Sequence, residues 1–122
     1  MDQRFRRAER LRRSGEFAQV MREGSRYSAS GLVLWVYRRA PSSAQAPRLG
    51  LRISRHYGNA VARNRLKRLL REVFRLHKTS LPPGVDMVFT ARPRPASRKP
   101  GYQTIAPLVM KLWTQAKLLP AP

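Results

Sequence analysis

The carboxylates of this chain are Asp2, Glu9, Glu16, Glu23, Glu72 and Asp86. The first four recur every seven residues. On a helix that spacing is about 10.5 Å, too wide for two carboxylates to share a metal ion or a proton. Gly15 also interrupts the run, so these acids read as solvated charges balancing basic neighbours. His56 and His77 have no ligand spacing between them, and His77 falls on an apolar stripe where a core-edge role suffices. The chain has no cysteine, which excludes disulfides, thiolate zinc sites and cysteine nucleophiles. No nucleophile elbow, P-loop or zinc pattern occurs. No catalytic residue is therefore assigned, and an autonomous nuclease lacks the acids it needs.

The chemistry lies in the cations. Lys and Arg number 26 against 6 acids, a formal charge of +20 over 122 residues. Such an excess predicts an anionic partner, because clustered cations release condensed counterions on meeting phosphates. Nucleic acid is favoured over a membrane surface or an acidic protein. The density peaks in residues 52–75, RISRHYGNAVARNRLKRLLREVFR. At about 100° per residue, Arg63, Lys67, Arg71, Arg75 and Lys78 fall along one flank of a helix, with Asn64 and Arg68 beside them. Arg65 lies toward the opposite edge of the polar arc. Planar guanidinium forks bind phosphate oxygens bidentately and stack on bases. Like charges at i, i+4 repel, and a chain needing only solubility would mix signs. This face is therefore read as a phosphate-binding surface rather than a solvated one. A second set, Phe17, Met21, Trp35 and Tyr37, could line a groove on which single-stranded bases stack. The same spacing suits core residues equally well.

The elements that must hold these residues follow from periodicity and breakers. Ser14 can cap a short helix carrying Phe17, Val20 and Met21 on one stripe, with Gly24 able to end it at positive φ. Residues 31–38 read as a strand with two apolar faces, Leu32, Leu34 and Val36 against Val33, Trp35 and Tyr37. A further strand is possible near Tyr27–Ser30. Residues 40–47 form a turn-rich loop. In 49–54, Leu49, Leu51 and Ile53 alternate with Gly50, Arg52 and Ser54. Asn59 caps a helix over 59–78 whose core stripe is Leu66, Leu69, Leu70, Val73, Phe74 and His77. Residues 85–91 read as a strand and 92–101 as a basic, proline-extended loop. A closing helix presents Ile105, Leu108, Val109, Leu112, Trp113, Ala116 and Leu119, with Pro107 tolerable only in its first turn.

The order is thus α-β-β(-β)-α-β-α, an α+β single-domain sandwich with helices packed on a small sheet. The sheet is mixed if the 59–78 helix joins two parallel strands, and general chirality would make that crossover right-handed in about 98% of cases. Residues 1–13 are read as a mobile basic arm, 14–119 as a single RNA-binding domain and 120–122 as a short tail. No apolar run reaches the roughly 18 residues of a membrane span, and no signal-peptide core follows the basic start. A cytoplasmic, membrane-free protein is expected.

Residues Gly58 to Glu72, GNAVARNRLKRLLRE, closely resemble the Arg-Asn-Arg motif of the bacterial ribonuclease P protein family. Leu11–Gly24 resembles that family's first helix, and Arg48–Ser54 the strand before the motif. The likeness runs from about Arg10 to Leu119, weakly over 38–47 and 92–104. It implies a protein without its own active site, partnered with a catalytic RNA that cleaves the 5′ leader from precursor tRNA. Magnesium would be required by the holoenzyme and held mainly by RNA. The motif helix, here Arg63, Asn64, Arg65, Lys67, Arg68 and Arg71, would dock on the ribonuclease P RNA, one protein per RNA. A central cleft would hold the single-stranded leader, here with Phe17, Met21, Trp35, Arg52 and Ser54. Met21 stands where an aromatic is usual. The resemblance also implies a left-handed crossover, against the general rule. A structural RNA-binding protein, such as a small ribosomal protein, shares the charge and size but not the motif. A helix-turn-helix DNA binder would need a helix where residues before 59 read as strand.

Overall fold

The computed structural model describes residues 5–39, 45–93 and 99–120. Its helices are α1 (Ser14–Glu23), α2 (Ala60–His77) and α3 (Tyr102–Gln115), and its strands β1 (Ser25–Ala29), β2 (Leu32–Arg38), β3 (Arg48–Leu51) and β4 (Val85–Ala91). Short 3-10 turns cover Arg7–Glu9 and Lys78–Ser80. The extra strand expected near Tyr27–Ser30 is β1. Ser30 and Gly31 both take positive φ, 49° and 85°, the backbone of a tight two-residue hairpin whose twist matches that of its strands.

The sheet runs β1-β2-β4-β3. β2 pairs antiparallel with β1 and β4, while β3 pairs parallel with β4. The sheet is therefore mixed, with α2 connecting the two parallel strands. Alternation along β2 divides its side chains as the sequence requires. Leu32, Leu34 and Val36 join a large core with Phe74, Met87, Phe89, Val109 and Trp113, whereas Val33, Trp35 and Tyr37 point to the other face. Leu66, Leu70, Val73 and Phe74 bury the stripe of α2, and Asn59 caps it, its side chain accepting from the Ala62 amide at 2.9 Å.

Several local expectations are corrected. α1 is not capped by the Ser14 side chain. Glu16 reaches back to accept from the amides of Arg12 and Arg13 at 3.2 and 3.1 Å. Gly24 does not use positive φ. A Cβ there would lie 2.4 Å from the carbonyl oxygens of both Val20 and Val36, so close backbone approach explains the glycine. Pro107 stands inside α3, past its first turn, and cannot offer an N–H to the carbonyl of Gln103 one turn back. β3 ends at Leu51, short of the strand expected to reach 54. α3 stops at Gln115, and Leu118 rather than Leu119 is the residue buried after it.

The N-terminal residues also depart from a mobile arm. The described part of 1–13, residues 5–13, lies against the body. Arg10 makes a parallel bridge with Leu49 on the edge of β3. Leu11 is buried, and Phe5 meets Phe74 edge-on with centroids 5.4 Å apart. Glu9 is buried and accepts from Lys78 Nζ at 2.8 Å and from the Arg6 amide at 2.7 Å. It is no solvated acid, and Lys78 does not belong to the outward cationic flank. The basic loop expected over 92–101 and the loop over 40–47 fall partly outside the described residues, at 94–98 and 40–44.

Candidate nucleic-acid interface

The cleft is assembled on the face of the sheet that α1 covers. Strand register puts Trp35 between Arg26 on β1 and Val88 on β4, and Val88 beside Gly50 on β3. Val20 and Leu11 close over Val88, and Phe17, Met21, Trp35 and Tyr37 pack around them while remaining part-exposed. Phe17 sits directly on Gly50, where a Cβ would come within 2.6 Å of its ring. That glycine lets a ring from α1 lie flat on the sheet. The Arg52 guanidinium lies over the Phe17 ring, 5.0 Å from its centroid, and contacts Met21 Sδ at 4.0 Å. Trp35 Nε1 donates to Thr90 Oγ1 at 3.1 Å, which fixes the indole, and Arg26 stands 5.5 Å from its centroid.

Phe17, Met21, Trp35 and Arg52 are therefore brought together. Ser54 is exposed beyond the end of β3, its carbonyl accepting from the Tyr57 amide at 3.0 Å, and no described contact ties its side chain to the cleft. Tyr37, read with Phe17, Met21 and Trp35 as a groove residue, joins them, whereas Arg26, Gly50 and Thr90 belong to the site and were missed. Arg26 was legible once β1 is paired through the Ser30–Gly31 turn, because the register places it opposite Trp35.

A part-buried ion network ties α1 to the sheet. Arg48 donates from Nε and Nη2 to the two carboxylate oxygens of Asp86 at 2.8 and 2.7 Å, and from Nη1 to Glu16 at 2.9 Å. Arg39 adds a contact to Asp86 at 3.4 Å. Burial pushes the Glu16 carboxyl up, but the amides of Arg13 and Arg12 and the Arg48 guanidinium outweigh it and hold the group below the usual carboxylate range.

The second surface is α2. Asn64, Arg65, Arg68 and Arg71 are exposed and Arg63 and Lys67 partly so. Arg75 is taken out of the expected flank by Glu72, which accepts from it at 2.5 and 3.2 Å. Partial burial and then the positive charge of Arg10 hold the Arg71 guanidinium below its ordinary value, so the fold presses like charges together, an arrangement that an anion relieves. Val61, 77% exposed, stands in the first turn of the same helix. It is the only large apolar side chain so exposed among the described residues.

A metal fits the protein poorly. Among the described residues no group of three His, Cys, Asp or Glu could hold an ion, and Glu9, Glu16, Glu72 and Asp86 already face Lys or Arg. Among the described residues no helix is long and apolar enough to cross a membrane.

Comparison with known proteins gives a consistent result. The family model described as ribonuclease P matches residues 5–117. A ribonuclease P protein component from Chloroflexus aurantiacus is 41% identical over 118 residues, 97% of this chain and 84% of that protein. One from Dictyoglomus turgidum is 31% identical, covering 94% of each. The Staphylococcus aureus RNase P protein superposes with a TM-score of 0.78 at 25% identity, over 93% of this chain and 99% of that one. The Thermotoga maritima RNase P protein superposes with a TM-score of 0.75 at 28% identity, over 88% and 96%.

Proposed function

The chain belongs to the bacterial ribonuclease P protein family and is a subunit of the enzyme that matures the 5′ end of precursor tRNA, and on that premise we propose that it holds two RNA segments on two separate surfaces. Its partner is the ribonuclease P RNA. On this reading α2 docks that RNA through Arg63, Asn64, Arg65, Lys67, Arg68 and Arg71, one protein to one RNA. The cleft takes the single-stranded leader of precursor tRNA, with bases against Phe17 and Trp35, Met21 packing beside them, and Arg52 and Arg26 meeting the phosphates. Ser54 would touch the leader only as it leaves the cleft.

The observation that carries this reading is the pair of part-exposed rings, Phe17 on Gly50 and Trp35 held by Thr90, each with a guanidinium beside it. A ring kept half in water by a rigid scaffold is a stacking platform, and each stacked base contributes about 1–3 kcal/mol. The cleavage chemistry is assigned to the RNA. Magnesium, which the family implies, would be held mainly by RNA, since Glu9, Glu16, Glu72 and Asp86 already face Lys or Arg, and no step is routed through the protein. A cytoplasmic location accords with the partner. Residues 14–119 form the RNA-binding domain in this proposal, with 5–13 packed onto it. From the family likeness we also take the β3-α2-β4 crossover to be left-handed.

Phe17→Ala tests the cleft. It should weaken binding of precursor tRNA roughly five- to a hundredfold, the equivalent of one lost stack, while mature tRNA and the catalytic RNA bind as before. Equal losses on all three RNAs, tracking a fall in melting temperature, would leave Phe17 as packing only.

A further inference from the structure

We propose that a cavity beside the motif helix, on the side of the sheet away from the cleft, receives one unstacked nucleotide of the ribonuclease P RNA. The cavity is about 710 Å³ and lies between the β1-β2 turn, the start of α2 and the start of α3. That volume is within the roughly 300–1,000 Å³ of small-molecule sites. Its floor is apolar, made by Leu32, Leu66, Ile105 and Leu108, with the ring of Tyr57 in its wall. Its rim is cationic and polar, with Arg92, Lys99 and Gln103. An apolar chamber under a cationic rim matches a nucleotide, whose base has two apolar faces and whose phosphate is anionic.

Two observations favour the catalytic RNA as occupant. The cavity is continuous with the motif helix: Leu66 forms part of the floor, and its neighbour Arg65 donates to the carbonyl of Pro100, a residue of the cavity wall, at 3.4 Å. An RNA strand laid along Arg65 and Arg68 therefore passes the mouth. Pro107, also in the wall, has no N–H for the carbonyl of Gln103. Gln103 itself lines the cavity, and its carbonyl, which lacks the usual helical N–H one turn on, is the acceptor we assign to the exocyclic amine of a base.

The inference rests on α2 being the RNA-docking surface, and the test separates the two claims. Thr104 is exposed, stands in the first turn of α3 and lines the cavity. Thr104→Trp should fill it and weaken binding of a bacterial ribonuclease P RNA about five- to a hundredfold. The slope of log affinity against log salt should flatten by no more than the roughly 0.7–0.9 of the one phosphate met at the rim. Thr104→Ser should bind as the parent does. Arg65→Ala should weaken binding and flatten the slope. Full affinity in a folded Thr104→Trp protein, with Arg65→Ala weakened, overturns the cavity and keeps the docking surface. If Arg65→Ala also binds normally, the docking surface fails too. Should Thr104→Trp lower the melting temperature, adenosine monophosphate titrated into the parent protein replaces it. Saturable methyl shifts at Leu66, Ile105 and Leu108 are expected. Shifts confined to other residues, or none, overturn the proposal.

Discussion

One sheet carries two faces that the fold treats differently. Under α2 and α3, Leu34, Phe74, Met87, Phe89 and Trp113 are fully buried. Under α1, Leu11, Val20, Val33 and Val88 are buried, and the aromatic residues around them keep part of their surface in water. Two long helices can seal four strands, but one helix of ten residues cannot. The remainder of the face stays open, and this chain fills it with rings and arginines. Burial on the first face stabilises at roughly 25 cal/mol per Å². Surface left open on the second withholds that stabilisation until a ligand covers it. On the proposed function, the contrast puts stability on one side of the sheet and leader recognition on the other.

The largest expected effect tests the sealed face. Trp113→Ala should cost about 3–5 kcal/mol, the range for truncating a large buried aromatic. Chemical denaturation should show the loss, and every RNA-binding activity should fall with it. A Trp113 variant that lost only leader binding would erase the distinction between the faces. Next comes the strap that joins them. Lys78→Met leaves the buried Glu9 carboxylate without its partner at 2.8 Å, and removing one member of such a pair costs about 3–5 kcal/mol. Adding Glu9→Leu should recover much of that loss, because a buried ion pair replaced by apolar groups is often neutral. If the double variant melts no higher than the single, the pair is not what holds residues 5–11 in place.

The arginine surface predicts a different signature. Replacing Arg63, Arg65 and Arg68 by Ala should flatten the log-log salt dependence of catalytic-RNA binding by about two to three units, at roughly 0.7–0.9 per phosphate contact. Stability should barely change. Weaker binding with an unaltered slope would mean these residues act through folding or base contacts.

The smallest effect sharpens the cleft side. Glu16 ionises more readily in the folded chain than when unfolded. Its contribution is therefore present above the unfolded carboxylate value and lost as pH falls through the lower, folded one. Glu16→Gln should remove that part of the acid sensitivity and loosen α1. Urea melts of parent and variant across the acidic range should converge at low pH, whereas parallel curves would show that the Arg48 contact adds nothing.

Local physics made much of this protein legible in its sequence. The leucine stripe of α2 and its Asn59 cap are set by a period of 3.6 and by a side chain bonding an amide three residues on. The two apolar faces of β2 follow from a period of two, and the arginine motif carried the family. What the sequence left open depended on pairs far apart along the chain. Glu9 and Lys78 lie 69 residues apart, and Arg48 and Asp86 38 apart. Acids that looked solvated became anchors only because β3 and β4 pair in parallel and the N-terminal segment lies along the β3 edge. Whether Phe17 is core or platform was likewise undecidable from spacing. The structure packs the ring against Gly50 and under Arg52 yet leaves it part-exposed. Periodicity reports which side of an element is apolar. Only the packed structure decides how much of that side another element covers, because coverage depends on where distant segments of the chain come to rest.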